Sequence, residues 1–221
     1  PLYKERYDAI IIDEAQDFKE LWFELIFILA KDSATKHIFM DQMQDIFRRY
    51  TKIPNAERFI KYNLPENCRN TKAIVKYLSN VLNKKIESFD NSPSGGDVVV
   101  KSFKNSLEQQ KYLIDEIKSL VREQGIKSEQ ILILINTSKL NSCLGSTNKI
   151  GNYDLKSLDN KARFVNDAIS YTNINTFKGL EADIVFVLDV DEISENNKKE
   201  LLYTQASRAM HKLYILDKTN H

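Results

Sequence analysis

Cysteine is scarce and unpatterned: Cys68 and Cys143 are the only two, with neither a CxxC nor the Cys/His spacing of a metal site. That excludes a disulfide framework and a zinc finger, and a reducing, cytosolic setting is the simple reading. Glycine (6) and proline (4) are sparse, which excludes a loop-dominated or low-complexity chain. Long apolar runs are missing. The longest, Leu21 to Ala30, is interrupted by Glu24 and is too short to span a bilayer. No basic stretch followed by an apolar one opens the chain, so no signal peptide is expected. Charge of one sign is not in excess either: 32 Lys and Arg against 31 Asp and Glu leave +1. No global basic field announces a nucleic-acid partner, and any such binding must come from a local groove.

What is there is a globular composition, 42% hydrophobic and 10% aromatic over 221 residues. That suits one large or two small domains with a real core. The opening PLYKERYDAIIIDEAQD runs almost directly into a strand, and the expectation is a chain cut from something longer.

Residues 7–12 (YDAIII) read as a buried parallel strand with acids at its C-terminal edge. Leu21, Trp22, Leu25 and Leu29 recur at helical spacing. Residues 37–41 (HIFMD) read as a second strand ending in an acid. Residues 71–83 predict a helix with Ile74, Val75, Leu78, Val81 and Leu82 on one face. NSPSGGD, around 90–97, is the clearest loop. Strands are expected at 98–103 and 131–135 with a helix at 107–123 between them. Residues 136–163 read as loop with a short helix, 184–190 as a buried strand, 201–210 as a helix and 212–216 as a final strand. Strands alternating with helices imply an α/β fold, a mostly parallel sheet flanked by helices.

Asp13 and Glu14 carry the first chemical signal. A nucleotide-bound Mg²⁺ needs a hard oxygen ligand at a strand end and keeps several waters. A neighbouring carboxylate can polarise the attacking water. Asp-Glu after an apolar run is also a common solvated strand terminus, so the pair alone decides nothing.

The whole segment DEAQD after YDAIII resembles motif II, the Walker B element, of superfamily 1 (UvrD/Rep-like) DNA/RNA helicases. Later segments resemble that family's motifs in order. IFMDQMQDIF (38–47) is similar to motif III, with Asp41 and Gln44 matching and Met40 in place of glycine. LPENCRN (64–70) is similar to motif IV, with Asn67 and Arg69 matching and Cys68 replacing tyrosine. NINTFKGLE (173–181) is similar to motif V through Lys178, Gly179, Leu180 and Glu181, with Asn173 and Asn175 in place of threonine and histidine. LLYTQASRA (201–209) is similar to motif VI through Tyr203, Ser207, Arg208 and Ala209.

The resemblance implies a P-loop NTPase (RecA-like) fold, with ATP and Mg²⁺ as cofactors. It implies that Asp13 and Glu14 serve the metal and the water, and that Gln44 senses the γ-phosphate. Arg69 would reach that phosphate across a domain cleft, and Arg208 takes the arginine-finger position. Glu181 would contact the ribose, and Gly179 permits close backbone approach to phosphate or sugar. On the nucleic-acid side it implies Phe47, Arg48, Asn175 and Lys178. Phe47 would stack on a base, or it is a core aromatic; Arg48 and Arg49 would hold phosphate, or are a solvated pair. Single-stranded DNA is the expected partner, with RNA the other option and no membrane.

The motifs divide the chain into 1–62, the C-terminal part of a first RecA-like domain, and 63–221, a second one. No GxxxxGK[ST] occurs, so the main phosphate cradle is expected upstream or missing. The chain by itself is then expected to be inactive or nearly so. The substitutions at Met40, Cys68, Asn173 and Asn175 keep a second reading open, a helicase-like module that has lost hydrolysis and acts in binding or regulation.

Overall fold

The computed structural model describes residues 6–41, 44, 51–158, 166–177 and 179–218. They group into two units, Pro1–Leu64 and Pro65–His221.

In the first unit, β1 (Tyr7–Ile12), α1 (Glu20–Ile28) and β2 (Ala30–Ile38) form a strand–helix–strand repeat. The two strands pair in parallel, Ala9 opposite Thr35 and Ile12 opposite Ile38, with an irregularity between Tyr7 and Ala9. Ile10, Ile12, Ala15, Phe23 and Ala30 make the core. Three expectations change here. β1 is buried only at Ile10 and Ile12, because among the described residues it has a single strand neighbour and the side chains of Tyr7 and Ile11 face outward. The second strand covers Ala30–Ile38 rather than 37–41; its polar middle hid it from a search for apolar runs. The packed face of α1 is Phe23 with Ile26 and Phe27, whereas Leu21, Trp22, Leu25 and Ile28 are exposed. This helix is apolar all round, so spacing alone could not choose its buried face.

The second unit opens with β3 (Glu66–Asn67), α2 (Lys72–Leu82) and β4 (Glu87–Ser88), in which β3 and β4 pair in parallel. Thr71 caps α2, its hydroxyl accepting from the Ile74 amide, and Ile74, Val75 and Leu78 are its buried face. The glycine-containing loop then docks on that cap. Lys72 and Ala73 amides donate to the Pro93 and Ser94 carbonyls at 2.9 and 3.0 Å. Gly95, at φ +72°, lies so close to Thr71 that a Cβ would fall 2.4 Å from its hydroxyl oxygen.

The main sheet follows: β5 (Val99–Phe103), α3 (Ser106–Arg122), β6 (Ile131–Ile135), β7 (Lys149–Ile150) and β8 (Tyr153–Ser157). It is completed by β9 (Ala168–Thr172), α4 (Ile174–Phe177), β10 (Ala182–Leu188), α5 (Lys198–Ala206) and β11 (Ala209–Lys218). Its order is β5-β11-β10-β6-β9-β8-β7, parallel throughout except for the β7–β8 pair. β6 is buried at all five positions, which is why it is an unbroken apolar run. Asn105 caps α3 by accepting from the Leu107 and Glu108 amides. That helix lays Leu113, Ile117 and Leu120 on the core, where Phe186 and Tyr214 stack at 4.2 Å. The expected short helix within 136–163 is not found among the described residues. β7 and β8 stand there instead, and β9 was not anticipated. All three lie toward one end of the sheet; β7 and β8 are largely exposed there, whereas β9, beside β6, is buried at four of its five positions.

Candidate functional site

The site residues of the first unit gather where β1 ends. Glu14 takes a left-handed backbone conformation, φ 50° and ψ 41°, and a 3₁₀ turn follows at Ala15–Asp17. Such a turn disfavours side chains other than glycine, so the tight exit from the strand must be held by other contacts. The Asp13 carboxylate accepts the Glu14 amide at 2.8 Å, and the Ala15 amide donates to the Phe39 carbonyl at 2.9 Å.

Gln16, 2% exposed, is the hub. Its amide nitrogen donates to the Glu14 carboxylate. Its oxygen accepts the Asp41 backbone amide at 3.0 Å. The Asp41 carboxylate in turn accepts the side-chain amide of the buried Gln44 at 2.9 Å. Glu14 and Gln44, read separately from the sequence, are thus joined through Gln16 and Asp41. Gln16 was missed because a buried glutamine inside an acidic motif has no periodic or charge signature. Asp13 is exposed and offers hard oxygen at the strand end. Among the described residues no group of three or more His, Cys, Asp or Glu side chains could hold a metal. This donor set suits an ion that takes one or two carboxylates and completes its shell with water and phosphate.

In the second unit, three chain segments converge. Arg69, just past β3, pairs its Nε with Glu181 at 2.9 Å, both partly exposed. Asn67 folds the turn, its oxygen accepting the Arg69 and Asn70 amides at 3.1 and 2.9 Å. Asn70, 2% exposed, donates through its side chain to the Ser207 and Ala209 carbonyls at 3.1 and 2.6 Å. Those carbonyls flank Arg208.

Arg208 is 1% exposed. Its Nε donates to the Thr204 carbonyl at 3.1 Å, and its terminal nitrogens reach the Leu180 carbonyl at 3.2 Å and the Ser207 hydroxyl at 3.1 Å. Leu180 follows Gly179, whose φ of +82° needs glycine on conformational grounds, since a Cβ there would meet nothing. The guanidinium therefore pins the Gly179–Leu180 turn to the end of α5. Asn70 was the second residue missed, because its partners lie 137 and 139 positions away.

The remaining candidates are not gathered with these. Asn175 is exposed on α4. Asn173 precedes that helix and accepts the Thr176 amide at 3.2 Å. Phe47, Arg48, Arg49 and Lys178 lie outside the described residues.

A separate polar cluster sits at the end of β10. Asp189 is fully buried and left-handed, φ 56°. The Lys218 ammonium is 4.0 Å from it, 3.4 Å from Asp191 and 3.8 Å from Glu192. Burial pushes the Asp189 carboxyl above its ordinary range, against the opposing pull of Ser142 and Lys218.

Residues 169–216 match the UvrD-like helicase C-terminal domain family. Over 145 residues the chain is 31% identical to a probable DNA helicase II homolog of Mycoplasma capricolum, covering 60% of this chain and 20% of that protein. It is 30% identical to the DNA helicase II of Rickettsia typhi over 149 residues, 60% of this chain and 22% of that protein. With the DNA helicase II of Haemophilus influenzae the figures are 26% over 155 residues, 62% and 20%. The chain thus spans about a fifth of the length of the curated relatives it matches. A solved structure, the C-terminal domain of a possible DNA helicase from Lactobacillus plantarum WCFS1, aligns with a TM-score of 0.51 at 19% identity. It covers 68% of this chain and 87% of that one, and it bears on the fold alone. The resemblance to the C-terminal portion of UvrD/Rep-like helicases, carried first by the motifs, is met again in these comparisons. Among the described residues no helix is long and apolar enough to cross a membrane.

Proposed function

We propose that this chain is the later part of an ATP-dependent helicase or translocase that couples ATP hydrolysis to movement on single-stranded DNA, with RNA the other candidate strand. The observation that carries the reading is the convergence in the second unit. Arg69 and Asn70, Leu180 and Glu181, and Ser207 to Ala209 are far apart in sequence and bond to one another within one network. Chance matches to a family's motifs have no reason to meet in space.

On this reading the units belong to a P-loop NTPase (RecA-like) architecture, and Mg²⁺-ATP is the cofactor. Asp13 supplies a hard oxygen for the ion. Glu14, steadied by Gln16, draws a proton from the attacking water. Gln44 shares that hydrogen-bonded chain and so feels any change at Glu14. Arg69 and Arg208 neutralise charge on the phosphoryl oxygens, where a guanidinium is worth orders of magnitude in rate. Gly179 and Glu181 line the approach of the phosphate or sugar. Phe47, Arg48, Asn175 and Lys178 grip the strand. Without a GxxxxGK[ST] in these 221 residues, the chain by itself hydrolyses ATP weakly or not at all.

The deciding measurement is ATP hydrolysis, with and without single-stranded DNA, by the longest natural form of the protein. Stimulated hydrolysis that collapses in Glu14→Gln and Arg208→Ala while ATP still binds supports the reading. A second reading has an observation of its own: the Arg208 guanidinium is buried on backbone carbonyls. A catalytically silent, strand-binding module would keep it there, and would bind DNA with no hydrolysis to lose.

A further inference from the structure

The first unit carries a pocket of about 460 Å³ that shares no residue with the site above. It lies within the size range of small-ligand pockets, roughly 300–1,000 Å³. Its walls include Phe27 from the end of α1 and Phe59, whose rings lie 28° from parallel with centroids 6.3 Å apart. Lys36 of β2 and Arg58 supply fixed positive charge. The Lys36 ammonium sits 5.6 Å from the centroid of Phe27. Among the described residues no carboxylate lines the pocket, and neither cation forms an ion pair with a described acid.

Cations left without counter-ions beside flat rings call for a ligand that is both anionic and planar. A nucleotide unit fits: its base offers a π-face to a phenyl ring, and its phosphate suits a guanidinium and an ammonium. An acidic peptide would satisfy the charges and leave the rings unused. The choice between a strand and a free nucleotide follows from what adjoins the pocket. Ile60 on its wall is 98% exposed. The exposed residues after it, Lys61 and Tyr62, repeat the cation–ring pair of Arg58 and Phe59. Two such pairs in an open stretch suit successive phosphates and bases.

We propose that this pocket holds one nucleotide of a single strand, its base against Phe59 and its phosphate on Arg58 and Lys36. The contact is additional to those proposed for Phe47, Arg48, Asn175 and Lys178. It rests on the functional reading above only for the class of partner, and it requires no ATP.

The test is fluorescence anisotropy of a labelled oligothymidylate titrated with the 221-residue chain at several salt concentrations. Arg58→Ala and Lys36→Ala should each weaken binding several-fold and reduce the log–log salt slope by about 0.7, as expected for one lost phosphate contact on a single strand. Phe59→Ala should weaken it roughly tenfold, within the range for one stacked base. Phe59→Tyr, which keeps the ring, should bind like the parent, so that loss in the alanine variant is assigned to stacking rather than misfolding. Lys199→Ala, on the exposed side of α5, is the charge control. Affinities and slopes unchanged in all three pocket variants, with the parent binding DNA, overturn the pocket and leave the helicase reading standing. A parent chain that binds no oligothymidylate also overturns it. Displacement by thymidine monophosphate at concentrations matching the oligonucleotide's nucleotides overturns the strand in favour of a free nucleotide. Pocket-dependent binding, with no ATP hydrolysis by the longest natural form of the protein, keeps the pocket and sinks the helicase reading.

Discussion

A guanidinium sealed from water can act on a phosphate only after giving up the groups it holds. Arg208 holds two carbonyls and a hydroxyl, and Asn70 clamps the carbonyls on either side of it. Asn70→Ala would remove both side-chain hydrogen bonds to those carbonyls, at about 0.5–1.5 kcal/mol each. The second unit should therefore melt several degrees lower, read by circular dichroism. A variant that melts with the parent would show that the clamp is idle. Asp189 makes a forecast with a definite sign. Its carboxyl is held above the ordinary value of 3.8 by burial. The native state then keeps a proton that the unfolded chain has released, so this group's share of stability falls as pH rises above about 4, until the native carboxyl itself ionises. Asp189→Asn cannot ionise, and Lys218 retains Asp191 and Glu192 as partners. In urea unfolding, the stability of the variant relative to the parent should increase from pH 4 to pH 7. A pH-independent difference between the two refutes the assignment.

At the scale of elements, α1 shows how one helix can be apolar on both faces and use only one. Phe23 is fully buried beneath Phe18 and Phe27, whereas Leu25 on the other face is 55% exposed. Phe23→Ala should cost about 3–5 kcal/mol, the usual range for emptying a core aromatic site. Leu25→Lys should cost less than about 0.5 kcal/mol, as surface changes usually do, and should raise solubility by breaking an exposed apolar face. Chemical denaturation of the two variants checks both, and a large loss in Leu25→Lys would mean that this face is packed in solution. The junction of α2 with its preceding loop is the opposite case, in which Gly95 is required by both φ and the nearness of Thr71.

The two units of the molecule differ in how much holds them. Among the described residues the first has a two-stranded sheet and a core of five buried hydrophobic residues. The second has seven strands in one sheet, with both the main buried cluster and the stacked Phe186 and Tyr214 at its centre. Two strands with one helix are near the lower limit of independent stability, so amide hydrogen exchange should be sorted by unit. Protection should be highest in β6, β10 and β11, and β1 and β2 should exchange well before them. Equal protection in β1 and β10 would contradict this.

Much of this was legible in the sequence, because periodicity and strand composition are local properties. The apolar runs of β6 and β10, the amphipathic spacing of α2 and α3, and the acids after β1 follow from neighbours within a turn or a pleat. Asp13, Glu14, Gln44, Arg69 and Arg208 were picked out as candidates by another route, the resemblance of short segments to the motifs of a known family. Other features depended on atoms that the chain brings together from far away. The buried face of α1 was settled by what packs against it, since its composition permits several. β7 and β8 became strands through pairing partners at one end of a large sheet, not through strong propensity of their own. The left-handed exit at Glu14 runs against residue preference and persists only where surrounding contacts hold it. Gln16 and Asn70 are neutral amides with no pattern to betray them. They matter because tertiary structure encloses them, and a buried amide must find partners for both its donor and its acceptor.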